Sequence, residues 1–133
     1  MINFTSKPRY ALDDLIRLVH ALRAPGGCPW DAAQTHLSIR RNFLEEAYEA
    51  CEALDCDDAA MLREELGDVL FAAVRVASTL DKDPEQALHS ACEKFIKRFT
   101  AMEQSILASG RTLEELSREE LLASWDAQKR NGR

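Results

Sequence analysis

The chain has 133 residues, 46% of them hydrophobic, and its 17 Lys and Arg stand against 23 Asp and Glu for a formal charge of −6. That length suits one domain, able to bury about two thirds of its unfolded surface without cross-links. The negative balance, with no basic tail or stripe, argues against a protein that grips nucleic acid by neutralising its backbone. It leaves room for a small anion, because a few cations or a bound metal reverse the field inside a cleft.

No stretch approaches 18 uninterrupted apolar residues, and the first residues lack the basic-then-apolar plan of a targeting segment. The expectation is a cytoplasmic protein with no stable nucleic-acid or membrane partner. Cys28, Cys51, Cys56 and Cys92 show neither CxxC nor Cys/His pairing, which disfavours structural zinc. Cys51 and Cys92 fall in apolar periodicity and are expected to be free, buried thiols.

The predicted elements are all helical. Leu12, Leu15, Ile16, Val19 and Leu22 give a helix over 12–23, stopped by Pro25, Gly26 and Gly27. Cys28 to Leu37 has no convincing period and reads as an ordered loop or broken helix. Ser38 to Leu54 is amphipathic, with Ile39, Phe43, Leu44, Ala47, Tyr48, Cys51 and Leu54 opposite an acidic band. After Asp55 to Asp58, Leu62, Leu66, Val69, Leu70, Ala73, Val76, Ala77 and Leu80 mark a third helix over 59–80. Asp83, Pro84 and Gln86 have the spacing of an N-cap, N1 and N3, and open a fourth helix that Gly110 closes after Ala108. The pairs Thr112 with Glu115 and Ser117 with Glu120 have capping-box spacing, the second opening a last helix through Lys129.

The acidic face asks for a reason. Glu46 and Glu49 are three apart on one helix face, and Glu65 and Asp68 repeat that spacing on the next. Converging across an antiparallel pair, four carboxylates would repel one another unless a divalent cation removed the conflict. Oxygen-only ligands favour Mg²⁺, or Mn²⁺ as a substitute. The Glu-x-x-His pattern of di-iron bundles is absent. An ordinary solvated acidic face fits the same residues, and whether the two pairs meet decides between the readings.

Glu45 and Glu64 turn about 100° away from those pairs and suit water orientation, solvent or salt bridging. Lys94 and Arg98, four apart, could contact phosphate oxygens or be surface cations, while Lys97 points elsewhere unless the helix bends. Trp125 and Lys129 repeat that spacing, as base-stacking and phosphate groups or as a packing anchor with its neighbour. Trp30 is a possible pocket wall, and His36 is expected to cap or pack locally.

The run Gly27-Cys28-Pro29-Trp30-Asp31 with Gln34-Thr35-His36, then Leu44-Glu45-Glu46-Ala47-Tyr48-Glu49, then Arg63-Glu64-Glu65-Leu66-Gly67-Asp68, resembles the MazG-type nucleoside triphosphate pyrophosphohydrolases. Lys94-Phe95-Ile96-Lys97-Arg98-Phe99 and the distant Trp125 with Lys129 extend the likeness to residues 12–130, leaving 1–11 as an N-terminal extension and 131–133 as a tail. The resemblance implies an all-α helical bundle of the all-α NTP pyrophosphohydrolase type, completed by oligomerisation as a homodimer or homotetramer. It implies Mg²⁺ on Glu46, Glu49, Glu65 and Asp68, and a small-molecule nucleoside triphosphate bound by residues matching Lys94, Arg98, Trp125 and Lys129. The implied reaction is hydrolysis between the α and β phosphates to a nucleoside monophosphate and pyrophosphate. Glu45 or Glu46 would orient the attacking water, and house-cleaning of the nucleotide pool is an inherited expectation. A narrower dNTP pyrophosphatase and a noncatalytic helical assembly protein are the alternatives. One departure stands out: Cys92 replaces the family's usual Asn two residues before the lysine and cannot supply an amide's donor and acceptor.

Overall fold

The computed structural model describes residue 2 and residues 4–132; Met1, Asn3 and Arg133, parts of the expected extension and tail, lie outside the described residues. In order the chain forms α1 (Leu12–Arg23), α2 (Pro29–Ala32), α3 (His36–Asp55), α4 (Ala59–Thr79), α5 (Pro84–Ala108), a 3₁₀ turn (Leu113–Glu115) and α6 (Arg118–Asn131). The all-α expectation holds, and no helix among the described residues is long and apolar enough to cross a membrane. The chain divides into two compact units, one ending at Pro84 and one beginning at Glu85.

In the first unit α3 packs along α4, and α1 packs on both α4 and α2. The Cys56 to Asp58 link is short, so α3 and α4 form an αα-hairpin. Its turn is held by Asp58, whose Oδ1 accepts from the N–H groups of Ala60 and Met61, both at 3.0 Å. α3 starts two residues earlier than the periodicity suggests, because Thr35 and Ser38 cap it reciprocally: the Thr35 N–H donates to Ser38 Oγ at 2.9 Å. The segment read as a loop or broken helix contains the one-turn helix α2, followed by this cap.

Val19, Ile39, Ala50, Ala53, Ala72 and Val74 form the buried core of this unit. The small alanines let the two long helices approach closely. Much of each predicted band stays outside: Leu44, Tyr48, Leu66 and Leu70 are exposed. The expected burial of Cys51 and Cys92 is corrected in the same way: both thiols are exposed and free, because the apolar band of each helix is wider than the surface that packing covers.

Gly27 closes the approach to α2. A Cβ there would sit 2.3 Å from the Leu22 carbonyl oxygen and 2.5 Å from that of Ala21, so only glycine fits against the end of α1.

In the second unit Met102 and Ile106 of α5 are buried, and Phe95 stacks on Phe99 at 5.9 Å between centroids. α5 ends at Gly110 (φ 80°), with the Arg111 N–H donating to the Ile106 carbonyl. Arg111 then ties the turn to α6: it donates through Nη1 to Glu120 Oε1 at 2.8 Å and through Nη2 to the Glu115 carbonyl at 2.7 Å. The Ser117–Glu120 capping box forms as expected, and Glu115 accepts from the Thr112 N–H within the 3₁₀ turn.

Candidate metal centre and substrate groups

The α3–α4 hairpin brings the predicted acids together. One carboxylate oxygen each from Glu46, Glu49 and Glu65 lies within 4.8 Å of the other two. The i,i+3 spacing puts Glu46 and Glu49 on one face of α3, and the hairpin sets Glu65 of α4 opposite them. Asp68 stands one turn beyond Glu65, exposed and outside that triad, yet close enough for its charge to act on both Glu46 and Glu65.

Packing and repulsion make this a strained arrangement for bare carboxylates. Burial first, and then the neighbouring charges of Glu49 and Asp68, push the Glu46 carboxyl above its ordinary range, against a partial lowering by Arg75. Glu65 is raised for the same reasons in the same order, and its Oε2 is buried without a hydrogen-bond partner. An orphaned carboxylate oxygen facing like charges is what a divalent cation would satisfy. The donor set is oxygen only, which fits Mg²⁺ or Mn²⁺ and not a soft-ligand metal.

Glu45 turns out of this cluster, as its register predicts. It pairs with Arg41 at 3.3 Å and lines a groove of about 580 Å³ beside α2, together with Trp30, Gln34 and Asn42. Trp30 is half exposed there. His36 opens α3 and is exposed.

The reading of the sequence missed a buried ion pair. Asp31 is 4% exposed and accepts from Arg75 Nε at 3.1 Å, while Arg23 donates to the Asp31 carbonyl oxygen at 2.6 Å. The Arg75 guanidinium also lies 4.5 Å from the Phe71 ring centroid and 5.3 Å from that of Trp30. A charge set between Val74 and Val76 in an apolar helix was the available clue.

In the second unit Lys94 and Arg98 line a cleft of about 330 Å³ with Lys97, Ala101, Gln128, Asn131 and Gly132. Lys97, expected to point away, lines the same cleft, because positions 94, 97, 98 and 101 form one face of α5. Trp125 packs on Phe95 with centroids 5.3 Å apart, and Lys129 pairs with Asp126 at 3.3 Å; neither is among the cleft-lining residues. Cys92 is exposed on the preceding turn of α5.

Comparison with known proteins gives a consistent result. The sequence profile of the MazG nucleotide pyrophosphohydrolase domain matches residues 34–102, which contain all four predicted metal ligands. The chain is 38% identical over 94 residues to "Nucleoside triphosphate pyrophosphohydrolase/pyrophosphatase MazG" of Thermotoga maritima, covering 65% of this chain and 35% of that protein. It is 34% identical over 125 residues to a nucleoside triphosphate pyrophosphohydrolase of Mycolicibacterium smegmatis, covering 92% of this chain and 37% of that one. The chain thus spans little more than a third of these curated relatives. The crystal structure of a mazG-related protein from Thermotoga maritima superposes with a TM-score of 0.59 at 27% identity, covering 89% of this chain and 98% of that one.

Proposed function

The chain belongs to the MazG nucleotide pyrophosphohydrolase domain family, and from that premise we propose that it hydrolyses nucleoside triphosphates to nucleoside monophosphates and pyrophosphate. The observation that carries this is the carboxylate triad Glu46, Glu49 and Glu65, with an orphaned oxygen on Glu65 and Asp68 one turn away. Residues 12–130 are the catalytic module in this reading, and surplus or noncanonical nucleotides are its substrates.

Glu46, Glu49, Glu65 and Asp68 would hold Mg²⁺, with Mn²⁺ as a substitute. When bound, the ion supplies neutralisation of triphosphate charge and acidifies water at neutral pH. The chain's own groups do the rest. Glu46, whose surroundings raise its proton affinity, is suited to orient a water and accept its proton, and Glu45 is its neighbour for the same role. Lys94 and Arg98 neutralise phosphate oxygens as charge shifts toward the departing pyrophosphate. Trp125 and Lys129 are further substrate groups, with Trp30 as a wall for the nucleoside.

Assembly into a homodimer or homotetramer completes the reading. The exposed Leu44 and Tyr48 on α3 and Leu66 and Leu70 on α4 supply apolar surface for it.

The test is a panel of NTPs and dNTPs incubated with and without Mg²⁺, all products being resolved. Glu49→Gln and Asp68→Asn should each lower turnover about a hundredfold, on the order of 2.7 kcal/mol of barrier, while circular dichroism stays helical. Full metal-dependent turnover in both variants rejects their ligand roles.

A further inference from the structure

The cleft between α5 and the end of α6 holds more positive charge than the fold requires. Lys94, Lys97 and Arg98 line one side of its volume of about 330 Å³, and among the described residues none of the three forms an ion pair. Gln128 and Asn131, in the last turn of α6, bring their amides to the other side, and no carboxylate is among the lining residues. A helix C-terminus carries about half a unit of negative charge. Arg98 already answers it, since its Nε lies 3.6 Å from where a Cβ on Gly132 would stand. The charges of Lys94 and Lys97 are left without a structural purpose.

The lining narrows what such a cleft takes. Its charged groups are all N–H donors, so it meets an anion directly and not through a bound cation. Lys94 and Arg98 stand one turn apart, about 6 Å along the axis, with Lys97 between them in height. Three donors spread in this way match two linked phosphoryl groups better than one. Ala101 is the one apolar side chain on the wall, so nothing there stacks on a base. The volume is also near the lower limit of small-molecule sites, about 300 Å³.

We propose that this cleft is a metal-independent site for a pyrophosphoryl group, in which Lys97, Gln128 and Asn131 act with Lys94 and Arg98, and that free pyrophosphate held there slows turnover. The proposal rests on the reading of Lys94 and Arg98 given above and extends it. Its binding part stands without hydrolysis, and its inhibition part requires it.

Calorimetric titration of the full chain in EDTA with pyrophosphate, orthophosphate and AMP tests the binding part. Pyrophosphate should saturate one site and bind at least tenfold more tightly than either of the others. ATP, whose β and γ phosphates carry the same group, should compete for the site, whereas AMP should not. Lys97→Gln should weaken pyrophosphate binding roughly tenfold, and Asn131→Ala should weaken it by a smaller factor. Both side chains are exposed, so the melting temperature should not move. Arg118→Gln removes the same charge about 20 Å away along α6, beyond the screening length of about 8 Å in physiological salt, and should leave the affinity unchanged. Gly132→Leu, at a φ of −101° that any residue adopts, sets a side chain beside Arg98 and should abolish binding with no change of charge. With Mg²⁺ in excess, added pyrophosphate should inhibit nucleotide hydrolysis, and Lys97→Gln should need roughly ten times as much. Equal affinity for pyrophosphate and orthophosphate, or an equal loss in Lys97→Gln and Arg118→Gln, overturns the proposal, because either result marks diffuse charge. Hydrolysis by a protein that binds no pyrophosphate in EDTA overturns the cleft alone, whereas pyrophosphate binding by a protein that hydrolyses nothing keeps the site and removes the proposed function.

Discussion

Glu65 of α4 faces Glu46 of α3 with a carboxylate oxygen of each inside a 4.8 Å cluster, and both carboxyls are raised above their ordinary value. The folded chain therefore binds protons there more readily than the unfolded one. The sign follows from linkage: stability is present at low pH and is lost as pH rises from the ordinary glutamate value of 4.5 through the raised values. In EDTA the melting temperature should fall across that window. Glu65→Gln should raise the metal-free melting temperature at neutral pH, since it removes one repelling charge.

Metal addition should act in the opposite direction at the same residues. Saturating Mg²⁺ at about a hundred times its dissociation constant stabilises a folded protein by about 2.7 kcal/mol. Calorimetry at neutral pH should show that gain in the wild type and its loss in Glu65→Gln. A Mg²⁺ response unchanged by this substitution places the cation elsewhere.

The Asp31–Arg75 pair is buried on one side and a quarter exposed on the other. Asp31→Ala leaves a guanidinium without its carboxylate and should cost about 3 kcal/mol, the low end for a buried pair. Asp31→Asn together with Arg75→Met should cost less than Arg75→Met alone, because no buried charge is orphaned. Urea unfolding of Asp31→Asn, Arg75→Met and the double variant closes the double-mutant cycle that measures this coupling.

The two glycines that matter predict different costs. Gly27→Ala drives a Cβ into the backbone carbonyls of Leu22 and Ala21, which cannot swing aside, and should cost roughly 2–3 kcal/mol. Gly110→Ala meets nothing within 4 Å and suffers only its left-handed backbone, a cost of about 1 kcal/mol. Equal melting temperatures for the two variants contradict this steric account.

Glu120 is held at about 2 by its hydrogen bond from Arg111, helped by the Ser117 N–H. Its contribution is present above the ordinary value of 4.5 and is lost as pH falls toward about 2. Glu120→Gln should remove that part of the acid dependence. Helical circular dichroism followed from about pH 5 downward should show a shallower loss in the variant.

Local chemistry made most helix ends legible. Pro25-Gly26-Gly27 stops α1, Asp58 caps α4, Pro84 opens α5 and Gly110 closes it, each within about a residue of expectation. The start of α3 was misplaced because Ser38 stands where a capping glutamate is the familiar sign. The i,i+3 acid pairs were readable because they lie within single helices, whereas their meeting needed the α3–α4 hairpin. Nothing in local spacing links Asp31 to Arg75, which are 44 residues apart. Burial of Cys51 and Cys92 was misread because a periodic band shows which face is apolar and not how much of it a neighbour covers.

The most direct test of the central claim is the ³¹P NMR spectrum of ATP incubated with the purified protein and Mg²⁺. The account predicts AMP and pyrophosphate as the paired products, lost on addition of EDTA. ADP with orthophosphate, or unchanged ATP across the nucleotide panel, would contradict it.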